Sequence, residues 1–336
     1  MFKGVRYLSL LPLLLQVALA AVSITPAPNA LSGPNRHLVE NELPQAQETH
    51  EVAVLPDTNI MCISQMKNSV LLKAQFDING TVQHVSAFQI GQPSSALHGV
   101  TNSKLYPGKL WVTLQQDNKL LLLDPVASSL ESAPVIVKEL DIPSAGQPDV
   151  PQGPHYISEY DGNLWVAIQD SAHVYRVNPE DPANDWALFK VNPRPVFVAQ
   201  NPANSNFYSG LDNDNSVTHG TGTVGFISGS DEFTYHRLQN PVGSSASLLH
   251  LAFDTDYETN HVLWLLSSSI IKSDALDMLI KVTFNAEWSA IVSEEYVTLP
   301  TQISKAHRVF VTPEIVFVTE LASSRVVGYL KPEVEL

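Results

Sequence analysis

The chain has 336 residues, with 19 Lys and Arg against 34 Asp and Glu, for a formal net charge of -15 at pH 7. Charge of that sign repels phosphate backbones and no basic cluster offsets it, which excludes a nucleic-acid partner. Its 23 prolines, 16 glycines and 44% hydrophobic content read as many short buried strands joined by tight turns, and a lone cysteine, Cys62, excludes an intrachain disulfide.

In chain order, residues 1–20 read as a signal peptide: Lys3 and Arg6 supply the positive start, Leu8 to Leu19 the apolar run, and Ala18-Leu19-Ala20 a small-residue cleavage pattern. No later stretch is long and apolar enough for a membrane span, so the expected location is the secretory pathway, secreted or within an endomembrane compartment. Residues 21–36 form an expected flexible leader, and residues 37–336 a single domain. Cys62 falls in the apolar strand Ile60 to Ile63, where a buried, inert thiol is expected. Asn79-Gly80-Thr81 is a glycosylation sequon in an expected hairpin turn, which makes Asn79 the glycosylation candidate; turn chemistry alone also accounts for Asn-Gly.

From residue 49 onward one pattern repeats. His50, His98, His155, His250 and His307 each stand near the start of an apolar strand, and Phe197 occupies the same place in Val196-Phe197-Val198-Ala199. These marks recur at roughly 40–60-residue intervals, near the ~40–50 residues of a β-propeller blade. Each marked strand is followed by a turn and a strongly apolar second strand, as in Asp161-Gly162-Asn163-Leu164-Trp165-Val166-Ala167. Third and fourth strands complete the unit, which predicts an all-β fold: a six-bladed propeller with blades at 47–92, 94–143, 151–193, 194–241, 246–300 and 303–336. The last unit has room for three strands, and Leu38 to Leu43 are expected to supply its outer strand and close the ring. An open or differently closed β-solenoid is the structural rival.

Closure brings equivalent positions toward one axis, so His50, His98, His155, His250 and His307 become the catalytic candidates. Three roles compete: a structural lining bonded to carbonyls and water, general acid–base catalysis, and metal ligation by His98, His155 and His250. Spacing around a wide ring argues against one ion, and no compact carboxylate set is visible beside the histidines. Phe197, Tyr156, Tyr208, Gln115, Gln169, Glu320, His219 and Trp186 are candidates for contact with a small hydrophobic or aromatic metabolite, each also explicable as packing or turn polarity. Asp212-Asn213-Asp214-Asn215 has part of a calcium-loop pattern but lacks its glycine and closing glutamate. Gly243-Ser244-Ser245-Ala246-Ser247 lacks the second glycine of a nucleophile elbow. Oligomeric state has no signal here.

Gly153-Pro154-His155-Tyr156 with Asp161-Gly162-Asn163-Leu164-Trp165, and Leu97-His98-Gly99 with Leu110-Trp111-Val112-Thr113, resemble the blade repeat of streptogramin lyase and lactonase-type propellers. That resemblance implies a divalent-metal-assisted C–O lyase or lactonase, with Mg or Ca as the ion. In size, signal segment and blade count the chain also resembles the fungal secreted propellers that act as hetero-Diels–Alderases in tropolone-sesquiterpene biosynthesis. The implied activity is a cofactor-free pericyclase of secondary metabolism, which dehydrates a hydroxymethyl tropolone to a quinone methide and directs its [4+2] addition to a terpene alkene. A third reading is a non-enzymatic propeller that binds a small molecule.

Overall fold

A computed structural model describes residues 38–44, 46–144, 152–191, 195–200, 207–211, 222–227, 233–270 and 272–332. The expected signal peptide, the leader, the acidic loop 212–215 and His219 lie outside the described residues. Strand β1 (Leu38–Glu42) precedes a first blade of β2 (Thr49–Val54), β3 (Ile60–Gln65), β4 (Val70–Phe76) and β5 (Val82–Gln89). The second blade is β6 (Leu97–Asn102), β7 (Leu110–Leu114), β8 (Lys119–Asp124) and β9 (Val135–Asp141). The third is β10 (Pro154–Tyr160), β11 (Asn163–Ile168), β12 (His173–Val177) and β13 (Trp186–Lys190). After β14 (Pro195–Gln200), β15 (Phe207–Leu211), β16 (Thr223–Ile227) and β17 (Phe233–Arg237) comes a blade of β18 (Leu248–Phe253), β19 (Val262–Ser267), β20 (Met278–Phe284) and β21 (Ile291–Thr298). The chain ends in β22 (Ala306–Val311), β23 (Ile315–Glu320) and β24 (Arg325–Leu330).

The expectation of six blades is corrected. Five four-stranded blades form, and the segment expected to be another instead holds two separate two-stranded ladders, β14–β15 and β16–β17. No ladder joins β15 to β16 among the described residues. This segment is also the poorest copy of the repeat, with Phe197 where the others carry histidine.

Local chemistry explains the regular blades. Second strands are covered by sheets on both faces and are buried throughout in β7, β19 and β23 and after Ile60 in β3, which is why they read as continuous apolar runs rather than alternating ones. Outer strand β9 has one wet face and alternates. Trp111 and Trp264 fill space between neighbouring sheets and are completely buried. Asp161 and Gly162 both take positive φ, 49° and 71°, in the two-residue turn from β10 to β11, the conformation for which Asp-Gly is favoured. Cys62 is buried, and burial raises its thiol pKa to about 12, so it is inert as expected. Asn79 sits exposed in the turn from β4 to β5. No helix among the described residues is long and apolar enough to cross a membrane.

Closure is made by the start of the described chain. Strand β1 pairs antiparallel with β24, Leu38 opposite Tyr329 through Glu42 opposite Arg325, and so becomes the outer strand of the last blade. The innermost strands then stand side by side, β22 next to β2, β2 next to β6 and β6 next to β10. Asn41 fastens the seam: its Nδ2 donates to the Gly80 carbonyl and its Oδ1 accepts from the Val82 amide, each at 2.9 Å. Gly80 needs its positive φ of 80°, and a Cβ on Gly328 would stand only 3.0 Å from the Gly80 carbonyl, which would have to give way.

Asn41→Ala leaves the Val82 amide and the Gly80 carbonyl without these partners at a buried seam, an expected loss of about 1–3 kcal/mol. Thermal denaturation should show a midpoint several degrees lower; an unchanged midpoint would show that the seam does not limit stability.

Candidate metal centre

Every innermost strand carries a register irregularity at its marked position: between Thr49 and Val52, Leu97 and Val100, Pro154 and Ile157, Pro195 and Phe197, Leu248 and His250, and Ala306 and Arg308. A bulge re-aims side chains and lets consecutive residues reach the same side of a sheet. In the first blade it brings both His50 and Glu51 to the axis, and in the last blade both His307 and Arg308.

A shared hydroxyl holds the bulges. Ser64 Oγ accepts the Glu51 amide of its own blade at 3.0 Å and donates to the His98 carbonyl of the next blade at 2.6 Å. Thr113 Oγ1 accepts from the Gly99 amide at 2.7 Å and donates to the His155 carbonyl at 3.3 Å. Thr319 Oγ1 accepts from Arg308 at 3.1 Å and donates to the His50 carbonyl at 2.6 Å. Backbone groups freed by each bulge are thereby satisfied, and successive blades are tied at the level of the histidines. Gly99 is required by the same contact, because a Cβ there would stand 2.6 Å from the His155 carbonyl.

The result is an arc of closely packed imidazoles, each tilted by about 50° to the next. Ring centroids lie 3.7 Å apart for His307 and His50, 3.7 Å for His50 and His98, and 3.9 Å for His98 and His155. The expectation that the histidines stand too far apart for one ion is therefore corrected. His50, His98 and His155 form one group whose ligand atoms all lie within 4.8 Å of one another, and His50, Glu51 and His307 form another. The expectation of a cofactor-free site is corrected by these two groups, since each is a buried donor set of metal-binding size. His250, placed with His98 and His155 in the sequence-based ligand set, belongs to neither group. Its Nε2 accepts from Arg308 Nη1 at 2.5 Å, since a guanidinium only donates.

In the group containing the carboxylate, Glu51 Oε1 lies 3.9 Å from His50 Nδ1 and 3.8 Å from His307 Nδ1. Donor atoms about 3.3–3.5 Å apart would suit a tetrahedral ion with bonds near ~2.1 Å, so these two separations need to shorten by a few tenths of an ångström. The Nδ1 atoms of His50, His98 and His307 make no hydrogen bond. The His50 carbonyl lies near the ring of His307 and the His155 carbonyl near that of His98. Burial pushes His50, His98 and His250 well below the usual imidazole range and His307 down to about 3, with neighbouring rings and Arg308 adding to the effect. Burial also raises Glu51, against the pull of Arg308, whose Nε stands 3.2 Å from Oε2.

The remaining candidates are dispersed. Tyr156 packs edge-on against Phe197 at 5.4 Å, and Phe197 lies 6.3 Å from His155 and 5.5 Å from His250, so these rings line the other arc. Gln115 Nε2 donates to Gln169 Oε1 at 3.4 Å, a pair just past the ends of β7 and β11. Glu320 ends β23, buried, and accepts from Ser323 at 2.6 Å; burial raises it to about 7. It belongs to neither ligand group. Trp186 stands on the outermost strand β13, away from the axis. The backbone of Tyr208 pairs with Ala199, and its side chain lies outside the described set. A groove of about 700 Å³ lined by Val54 to Asn59 and Phe310 to Ile315 occupies the opposite ends of β2 and β22 and contains none of the histidines. Glu51 and Arg308 were missed from sequence; each directly follows a marked histidine, and that adjacency was the available signal.

No family model matches the chain, and no curated protein matches it. Among solved structures it is similar to a streptogramin B lyase structure at 15% identity and TM-score 0.59, covering 87% of this chain and 96% of that one. A putative gluconolactonase aligns at 12% identity and TM-score 0.54 over 87% of this chain and 92% of that one. A catalytically inactive virginiamycin B lyase from Staphylococcus aureus with quinupristin aligns at 13% identity and TM-score 0.50 over 94% and 98%. At such identities the shared feature is the propeller fold, which supports the lyase-type resemblance at that level. The resemblance to hetero-Diels–Alderases finds no support in these matches.

Two predictions follow from the arc. Thr113→Val removes the hydroxyl between Gly99 and His155 at near-constant volume, with an expected loss of about 1–3 kcal/mol in denaturant unfolding; no loss would show that the stitch is dispensable. The histidines, held neutral in the fold and depressed from the ordinary ~6.5, contribute stability that is complete above that value and declines as pH falls toward about 3 for His307. Glu51 and Glu320, both raised by burial and Glu320 to about 7, act oppositely as pH rises, so the comparison is made in the Glu51→Gln, Glu320→Gln double variant. In chelator, that variant should melt lower at pH 5 than at pH 7.5, and equal midpoints would contradict buried neutral histidines.

Proposed function

We propose that this protein is a divalent-metal-assisted enzyme of the C–O lyase or lactonase class, acting on a small aromatic metabolite in the central channel. The observation that carries this reading is the sharing of His50 between two buried donor groups, His50–His98–His155 and His50–Glu51–His307. Imidazoles with strongly depressed pKa values are weak bases, so their burial favours lone-pair donation to an ion over proton transfer. Nitrogen-rich donors with one carboxylate suit zinc and its transition-metal neighbours, which revises the expected Mg or Ca, ions that prefer oxygen.

A bound ion would supply Lewis-acid polarisation of a carbonyl or leaving-group oxygen. The chain's own residues do the remaining work. The hydroxyl-stitched bulges keep the donors in one arc, Glu51 offsets positive charge, and Tyr156 with Phe197 forms an aromatic wall for a planar ligand. The pericyclase reading has no separate geometric observation in its favour.

Metal content of the purified protein, measured by elemental analysis before and after chelation, tests the reading. About one equivalent of a transition ion is expected, and adding it back at a hundredfold excess over Kd should stabilise the fold by about 2.7 kcal/mol. His50→Gln should abolish uptake, whereas His155→Gln and Glu51→Gln should separate the two groups by which one lowers affinity. Wild-type protein that takes up no zinc, cobalt or manganese would defeat the proposal and leave a binding propeller.

A further inference from the structure

The ring of marked residues is lopsided. Four imidazoles crowd one arc at 3.7–3.9 Å, whereas His155 to Phe197 and Phe197 to His250 open to 6.3 and 5.5 Å. The wide arc coincides with a missing stitch. Where Ser64, Thr113 and Thr319 stand opposite the other bulges, the third blade has Ala167 and the blade of β18 has Leu266. Neither side chain can donate to a neighbouring carbonyl, and Phe197 and His250 stand at the second bulge position, in register with Glu51 and Arg308 rather than with His50 and His307.

Arg308 faces that open side. Its Nε stands 3.2 Å from Glu51 Oε2, its Nη1 donates to His250 Nε2 at 2.5 Å, and its central carbon lies 5.1 Å from the centre of the Tyr156 ring. Tyr156 touches Phe197 at 5.4 Å and Phe197 touches His250 at 5.5 Å, so Arg308, Tyr156, Phe197 and His250 form a closed circuit of contacts. This circuit combines aromatic faces with a guanidinium whose position is set from two sides. Three contacts do not exhaust its five N–H donors, and a planar fork suits the two oxygens of a carboxylate or the oxygen of a conjugated enolate.

Charge points the same way. Arg308 and Glu51 cancel each other, and the surrounding histidines are neutral, so a divalent ion at either donor group would leave the centre with two uncompensated positive charges. A buried excess of that size calls for an anionic ligand.

We infer that Arg308 is the anion-recognition residue of the site, and that the substrate is a small planar aromatic or conjugated molecule bearing a carboxylate or enolate oxygen. This rests on the proposed metal-assisted chemistry and narrows its substrate class. Glu51 and His250 act as positioning residues for the guanidinium, and Phe197 supplies the wall for the ring.

Calorimetric titration of the full chain, loaded with zinc, with benzoate and with neutral benzyl alcohol tests the inference. Benzoate should bind the wild type at least about tenfold more tightly than benzyl alcohol, as a charge-assisted pair requires. Arg308→Gln should erase that preference, and Arg308→Lys, which keeps the charge but not the fork, should reduce it about threefold or more. If Arg308→Gln fails to fold because Glu51 is left unpaired, Arg308→Lys and Phe197→Ala decide. The phenylalanine variant should weaken both ligands alike and leave the preference intact.

Equal binding of the two ligands by the wild type would overturn the inference. So would a benzoate preference that survives every folded Arg308 variant but disappears on chelation, which assigns the anion to the metal. Zinc uptake by the wild type is recorded separately. Failure of uptake defeats the metal reading, while an Arg308-dependent benzoate preference in the metal-free protein would still uphold this inference.

Discussion

One hydroxyl used twice is the contact on which the site depends. Ser64, Thr113 and Thr319 each satisfy the amide exposed by a bulge in their own blade and the histidine carbonyl of the next. A propeller blade has few backbone groups to offer its neighbour, because its ladder bonds run within the sheet. Apolar packing holds blades together without fixing their height along the axis. The shared hydroxyl fixes that height, and it does so at the level where the bulge points the imidazole inward.

The electrostatic character of the centre follows from that packing. Four buried imidazoles with ring centres 3.7–3.9 Å apart cannot share positive charge, so burial and mutual repulsion keep them neutral. Each neutral ring keeps a nitrogen lone pair, and Glu51 adds a single carboxylate, as in donor sets of two histidines and a glutamate. Arg308 then keeps Glu51 from being an isolated buried charge while extending toward the open arc. The same residue thus belongs to both halves of the channel, and its neighbours change from donors on one side to aromatic faces on the other.

Much of this was visible in the residues themselves. The marked positions do sit at equivalent bulges, Leu38 to Glu42 closes the last blade, and Asp161-Gly162 makes the expected two-residue turn. The reading went astray where the repeat was weakest. Residues 194–241 share the spacing of a blade, but their described strands form two ladders with no pairing between them. Glu51 and Arg308 escaped notice because strict strand alternation sends neighbours of an inward histidine to the opposite face. A bulge suspends that rule, and its presence is signalled only by a hydroxyl on a different strand.

By itself the sequence determined the all-β class, the strand order, the inward marks and the way the chain ends meet, because apolar runs, turn residues and spacing act locally and repeat. Tertiary structure alone decided which marks gather and what joins them. That outcome rests on contacts between blades: a hydroxyl reaching the next carbonyl at three seams, and Ala167 and Leu266 failing to do so at two others. Those contacts link residues far apart in the chain, with geometry set by bulges that shift register by one residue, and no local pattern encodes how closely two neighbouring sheets approach.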